Sequence, residues 1–166
     1  MDTNATIIEL ADRIASTLNA KQTAPQGVDG WTSPFVLPFT ARRTVNPLDY
    51  GQLANDSVCV LVFPAGITES RLGIDGGASP AFSQEATVHV IVYRHCPPAE
   101  AEDTGATMLL LCQQLAEAFK GCVLNMPRQR AVLTEIDNDP AFDVDRMAKD
   151  NLFAGEQVWT WNMVTA

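Results

Sequence analysis

Five carboxylates, Glu135, Asp137, Asp139, Asp143 and Asp145, fall within eleven residues. Carboxylates this close can bind Mg²⁺ or Ca²⁺, or divide acid and base duties between them. The order D-N-D-P-A-F-D-V-D lacks the glycine and terminal glutamate of a calcium loop, so a solvated turn is the simpler reading. His89 and His95 are the only histidines, and neither is spaced with cysteine or carboxylate as a metal-ligand pair. The serines at 57, 70, 79 and 83 stand in no G-x-S-x-G elbow. Gly73, Gly76 and Gly77 do not follow a strand and open a helix in the register of a phosphate loop. Cysteines 59, 96, 112 and 122 form neither a C-x-x-C nor a zinc pattern. The sequence therefore assigns no catalytic, cofactor-binding or metal-ligating residue, and implies no cofactor. A small metal-dependent enzyme using the 135–145 carboxylates remains one alternative.

Other residues have types suited to contact with protein. Arg42-Arg43 reads equally as an ordinary edge-strand charge pair or as a pair meeting an acidic patch on a neighbouring copy. Residues 64–83 read as one long loop, with Gly66, Gly73, Gly76, Gly77 and Pro80. A structureless loop of that length is unusual in a compact domain and points to a functional or partner-ordered segment. It carries Ile67, Leu72, Ile74 and Phe82, apolar residues that a solvated loop does not need, and Arg71 as a charged anchor. The loop is thus a candidate inter-subunit arm. A monomeric binding module whose loop captures a partner is a further alternative.

The elements that would hold these residues follow from periodicity. Ile7, Leu10, Ala11, Ile14 and Leu18 predict a helix over 5–19. Residues 21–34 read as a linker by composition. Residues 35–45 predict a strand with Phe35, Leu37, Phe39, Ala41 and Val45 on one side, interrupted there by Arg43. The near-continuous apolar run 58–63 predicts a central strand covered on both faces, stopped by Pro64. A strand from Ala86 places Val88, Val90 and Val92 on one face. Pro97-Pro98 opens a helix over 98–120 whose buried stripe is Met108, Leu109, Cys112, Leu115, Ala116 and Phe119. A short strand over 131–136, an acidic turn and a strand over 156–164 follow, the last with Trp159, Trp161 and Met163 on one face. The expectation is a single α+β domain over 1–166. It has a mostly antiparallel sheet of about four main strands and two main helices packed on one face.

Bulk composition narrows the partners. The chain has 166 residues, 46% of them apolar, enough for one well-formed core. Twenty acids against eleven bases give a net charge of −9, which repels DNA and anionic membranes at long range. Reduced, mostly buried thiols and folding in the cytoplasm are expected. No signal peptide and no membrane span are expected.

The order of motifs carries a resemblance. An N-terminal helix leads into F-T-A-R-R-T-V-N-P, then S-V-C-V-L-V-F-P, then the glycine-rich loop. A-T-V-H-V-I-V-Y-R, an amphipathic helix, T-E-I-D-N-D-P and the aromatic strand W-T-W-N-M-V complete the chain. This order resembles the tail completion, or tail terminator, proteins of tailed bacteriophages and prophages. The resemblance rests on element order over nearly the whole chain, since that family has no invariant catalytic motif.

It implies a structural virion protein at the neck of the phage tail, not an enzyme, folded in the bacterial host cytoplasm. The subunit would close into a homo-oligomeric ring, commonly a hexamer and up to a dodecamer. The ring would end the tail tube and join it to the head–tail connector or stopper protein. DNA would pass through without specific binding, and no membrane is involved. Under this resemblance the candidate inter-subunit residues are Arg42, Arg43, Ile67, Arg71, Leu72, Ile74 and Phe82. The longer 64–83 loop and the 21–34 linker depart from shorter members of the family.

Overall fold

A computed structural model describes residues 3–23, 34–45, 57–71, 82–138, 143, 145 and 149–165. Helix α1 is Thr3–Thr23, followed by strands β1 (Thr40–Arg43), β2 (Cys59–Arg71) and β3 (Phe82–His95). A 3-10 turn, Pro98–Glu100, leads into α2 (Ala101–Phe119). Strands β4 (Val123–Asn125), β5 (Gln129–Asp137) and β6 (Leu152–Thr165) complete an α+β fold. The six strands form one sheet in the order β1-β2-β3-β6-β5-β4.

The sheet is mostly antiparallel, as expected, but it has six strands in place of about four and is mixed at one edge. Strand β1 runs parallel to β2, with Ala41 opposite Val60; every other pairing is antiparallel. β4 was missed because three residues are too few to display a period. Only Thr40–Arg43 of the expected 35–45 strand pairs. Phe35 and Phe39 are still buried, edge to face at 5.1 Å, but Val45 is exposed.

The largest difference lies in 64–83, which is not one loop. β2 continues through Pro64 to Arg71, and β3 starts at Phe82, so much of the segment is hairpin. Pro64 looked like a stop because it cannot donate to a ladder. The register shifts between Pro64 and Gly66, a bulge that absorbs the proline and lets pairing resume at Gly66↔Thr87. Beyond the bulge, Ile67 packs on the main core while Thr68, Glu69 and Ser70 are exposed. That polar stretch hides the strand from a hydrophobic-pattern reading.

Both helices lie on one face of the sheet, as expected. α1 supplies Leu10, Ala11, Ile14 and Leu18, and α2 supplies Met108, Leu111, Cys112, Leu115 and Phe119. They bury the β3 stripe Val88, Val90 and Val92 and the β6 stripe Trp159, Trp161 and Met163. The α2 stripe is rotated from the one expected: Leu111 is fully buried, whereas Leu109 is 36% exposed. α1 runs past 19 to Thr23, into the expected linker, and residues 24–33 lie outside the described residues. A smaller cluster on the other face, Cys59, Leu61, Ile91, Tyr93 and Ala154, makes β2 and β3 buried on both sides.

The rotation of the α2 stripe is testable. Leu115→Ala should cost about 2–5 kcal/mol in urea denaturation, the range for a fully buried leucine. Leu109→Ala should cost no more than about 0.5 kcal/mol, as for an exposed side chain. Equal losses would mean that the helix face is assigned wrongly.

Candidate functional site

The expected contact residues divide by where the strands put them. On β1, Arg43 points to the helix side and its Nε donates to Asp12 Oδ1 of α1 at 2.8 Å. That pair is partly exposed, which limits it to about 0–1 kcal/mol, and it is spent inside the subunit. Arg42 points to the other face, opposite Leu61. Its Nε is buried and makes no hydrogen bond among the described residues. Ile67 is also used internally, against the main core. Arg71 and Phe82 form the last paired row of the hairpin, facing each other across β2 and β3. Leu72 and Ile74 lie outside the described residues.

The chemistry-bearing groups are dispersed. Glu135 and Asp137 are exposed on β5, and Asp143 and Asp145 are exposed beyond it; Asp139 lies outside the described residues. Asp143 donates its backbone N–H to the Ala154 carbonyl at 2.9 Å, so its backbone extends the β6 edge. Among the described residues no three His, Cys, Asp or Glu side chains group as a metal site. His89 pairs with Glu156 across β3 and β6, and its ring meets Phe63 edge-on at 6.1 Å. His95 is exposed. No helix among the described residues is long and apolar enough to cross a membrane.

The four cysteines are free thiols, three of them buried. Burial pushes the Cys112 thiol up to about 12. Burial also raises Cys59, against the lowering pull of a hydrogen bond from Tyr93 and of the Arg42 guanidinium. Cys96 and Cys122 are raised for the same first reason, desolvation. Thiols held neutral in this way are poor nucleophiles.

Sequence reasoning missed the concave surface of the molecule. An open groove of about 320 Å³ lies between the C-terminal half of α2 and β5, floored by Ala116, Leu133 and Ile136. A second hollow of about 320 Å³ shares Ala116, Glu117 and Asn138 with it and continues along α2 to Cys112 and Leu109. Gln157 lines that hollow although it is 1% exposed. Its Nε2 donates to the Cys112 carbonyl at 2.7 Å, and its Oε1 accepts from Trp159 Nε1 at 3.0 Å. The one signal in the sequence was a glutamine on the parity of Trp159 and Trp161.

The two edges of the sheet differ. Along β1, Asn19 Nδ2 donates to the Ala41 carbonyl at 2.8 Å, while the Ala41 N–H donates to Asn19 Oδ1 at 2.9 Å. Gln22 repeats this with Phe39, both bonds at 2.9 Å. Two side-chain amides thus imitate a neighbouring strand and close that edge. At the other edge β4 pairs only as far as Val132, and Leu133 N–H reaches the Cys122 carbonyl at 3.1 Å. Among the described residues β4 pairs with β5 only at Arg130, Ala131 and Val132.

No protein-family model matches the chain, and no curated protein matches it by sequence.

The Cys112 thiol predicts an alkaline weakness. Its ordinary value is 9.0, and the folded value is about 12. Below 9.0 the thiol is neutral in both states and its contribution is fully present. Between 9.0 and about 12 the unfolded chain releases the proton and the folded chain keeps it, so stability falls as pH rises. Urea midpoints above pH 9 should decline less steeply in Cys112→Ala than in the parent; identical slopes would refute the assignment.

Proposed function

We propose that this chain is a structural ring subunit of a tailed-phage neck, a tail terminator or tail completion protein. The observation that carries the reading is the β2–β3 hairpin. Strands of 13 and 14 residues rise from the helix-backed core and pair to the row Arg71↔Phe82. Between their ends stand ten residues, L-G-I-D-G-G-A-S-P-A, rich in glycine yet carrying Leu72 and Ile74. Ordering such a sequence is entropically costly, and a neighbouring subunit supplies both restraint and apolar cover.

Three further features support the reading. The order of motifs along the chain resembles that of the family. A net charge of −9 suits a channel that DNA crosses without binding. A sheet edge closed by side-chain amides at β1, with β4 covering only 130–132 of β5 among the described residues, suits a head-to-tail interface, the kind that closes into rings. The reading assigns no catalytic step to the protein and places it in the virion, between tail tube protein and head–tail connector.

The test is to shorten the hairpin where the strands end. Linking Arg71 to Phe82 by Asn-Gly alone, a turn suited to two-residue hairpins, removes 72–81 and leaves every strand pair. Circular dichroism should be unchanged. Light scattering should show rings for the parent and only monomer for the shortened chain, which should also fail to complete tails. Normal assembly by the shortened chain would sink the reading.

A further inference from the structure

We propose that the hollow where β1 and β2 begin and β3 ends is a binding site for a carboxylate on a short apolar body, anchored by Arg94. The site is separate from the surfaces used in the ring reading and does not depend on it.

The topology brings three donors to one place. β1 and β2 run parallel, with Thr40 opposite Cys59, so both strands start at the same end of the sheet. β3 is antiparallel to β2, with Tyr93 opposite Cys59, so β3 finishes where the other two start. Between these ends lies an open hollow of about 290 Å³, and its polar side chains are Thr40, Ser57 and Arg94. None of the three spends its side chain on a hydrogen bond or ion pair among the described residues. Leu37, Phe39 and Val58 make the rest of the wall mostly apolar.

Arg94 breaks the pattern of its own strand. Val88, Val90 and Val92 share its parity and lie in the main core, and Phe153, opposite Arg94 on β6, is fully buried there. An apolar residue would continue that stripe. A guanidinium stands in its place, half-buried, with no acid paired to it among the described residues. Drawing a charge partly out of water costs free energy that an opposite charge offsets. A local break in an otherwise consistent pattern marks a place where function overrides stability.

The donors select the anion. A guanidinium presents a planar fork that matches the two oxygens of a carboxylate. The hydroxyls of Thr40 and Ser57 donate to the lone pairs that the fork leaves over. Arg94 is the only charged side chain lining the hollow among the described residues. A phosphate monoester carries about −1.5 to −2 charges at neutral pH, so one cation would leave it half neutralised in a chain of net charge −9. Ligand sites run from roughly 300 to 1,000 Å³, and this hollow lies at the small end, so the apolar body is short.

The experiment titrates the isotope-labelled full-length chain with sodium butyrate at neutral pH, against sodium phosphate and sodium chloride at matched ionic strength. The amide shifts of Thr40, Ser57 and Arg94 should saturate with butyrate and with neither control. Arg94→Gln should keep the parent's circular dichroism and weaken butyrate binding at least about tenfold, as expected for a charge-assisted pair. Thr40→Val and Ser57→Ala should each weaken it about two- to tenfold, as for neutral hydrogen bonds. A dipeptide of leucine and glutamate with both ends blocked separates two sources of the carboxylate. Tighter binding of butyrate assigns the site to a free acid, and tighter binding of the dipeptide assigns it to an acidic side chain of a partner protein. Butyrate shifts that do not saturate, saturation unchanged in Arg94→Gln, or phosphate bound as tightly as butyrate overturn the site.

Discussion

The contact on which the rest of the molecule depends is Phe119 of α2 against the two tryptophans of β6. Its ring lies 4.8 Å from Trp159 and 6.3 Å from Trp161, and the tryptophans lie 6.3 Å apart. Both indoles are fully buried. A slip of β6 by one residue would turn both outward, so their burial fixes its register. Gln157 adds a polar lock, since its amide joins Trp159 to the Cys112 carbonyl. Strand β6 lies between β3 and β5, so the register set here passes to both. Through β3 it reaches the hairpin, and through β5 it reaches the groove.

The two edges of the sheet are finished differently. At β1, Asn19 and Gln22 occupy the outward backbone groups of Ala41 and Phe39. A hydrophobic helix face alone would not do this; it takes amides placed three residues apart on α1. At β5, among the described residues, β4 pairs no further than Val132, and the Leu133 N–H reaches the Cys122 carbonyl. Such a sheet cannot pair edge to edge with an identical copy through β1.

Much of this was legible in the sequence, and the failures share a cause. The face of β6 bearing Trp159, Trp161 and Met163 and the valine stripe of β3 followed from a period of two. The α1 stripe followed from a period near 3.6. The 58–63 run was rightly read as covered on both faces, and the Leu61 and Tyr93 cluster shows with what. Errors arose where packing did not impose a pattern. Leu109 and Leu110 are apolar yet exposed, so composition misplaced the α2 stripe by part of a turn. The outer hairpin has polar strand residues because it extends beyond the helices. Arg43 pairs with Asp12 and Ile67 packs on the core, and such long-range pairings leave no local trace in the sequence. The groove is legible in neither α2 nor β5 alone, since it exists only between them.

The bulge at Pro64 and Gly66 divides the hairpin into parts of different stability. Below it, rows such as Val62↔Val90 are buried on the helix side and flanked by β6. Above it, the rows from Thr68↔Glu85 to Ser70↔Ser83 are polar and gain little from apolar burial, and β6 pairs with them only as far as Gln84. A two-stranded ribbon without a buried face is marginal in water, so opening should begin there and stop at the bulge. The core would not be disturbed, because Ile67 and Val88 remain anchored. In the ring reading proposed above, assembly draws on the end of the hairpin without drawing on the stability of the subunit. The proline that reads as the end of a strand is the joint between the core-backed part of the hairpin and its polar outer rows.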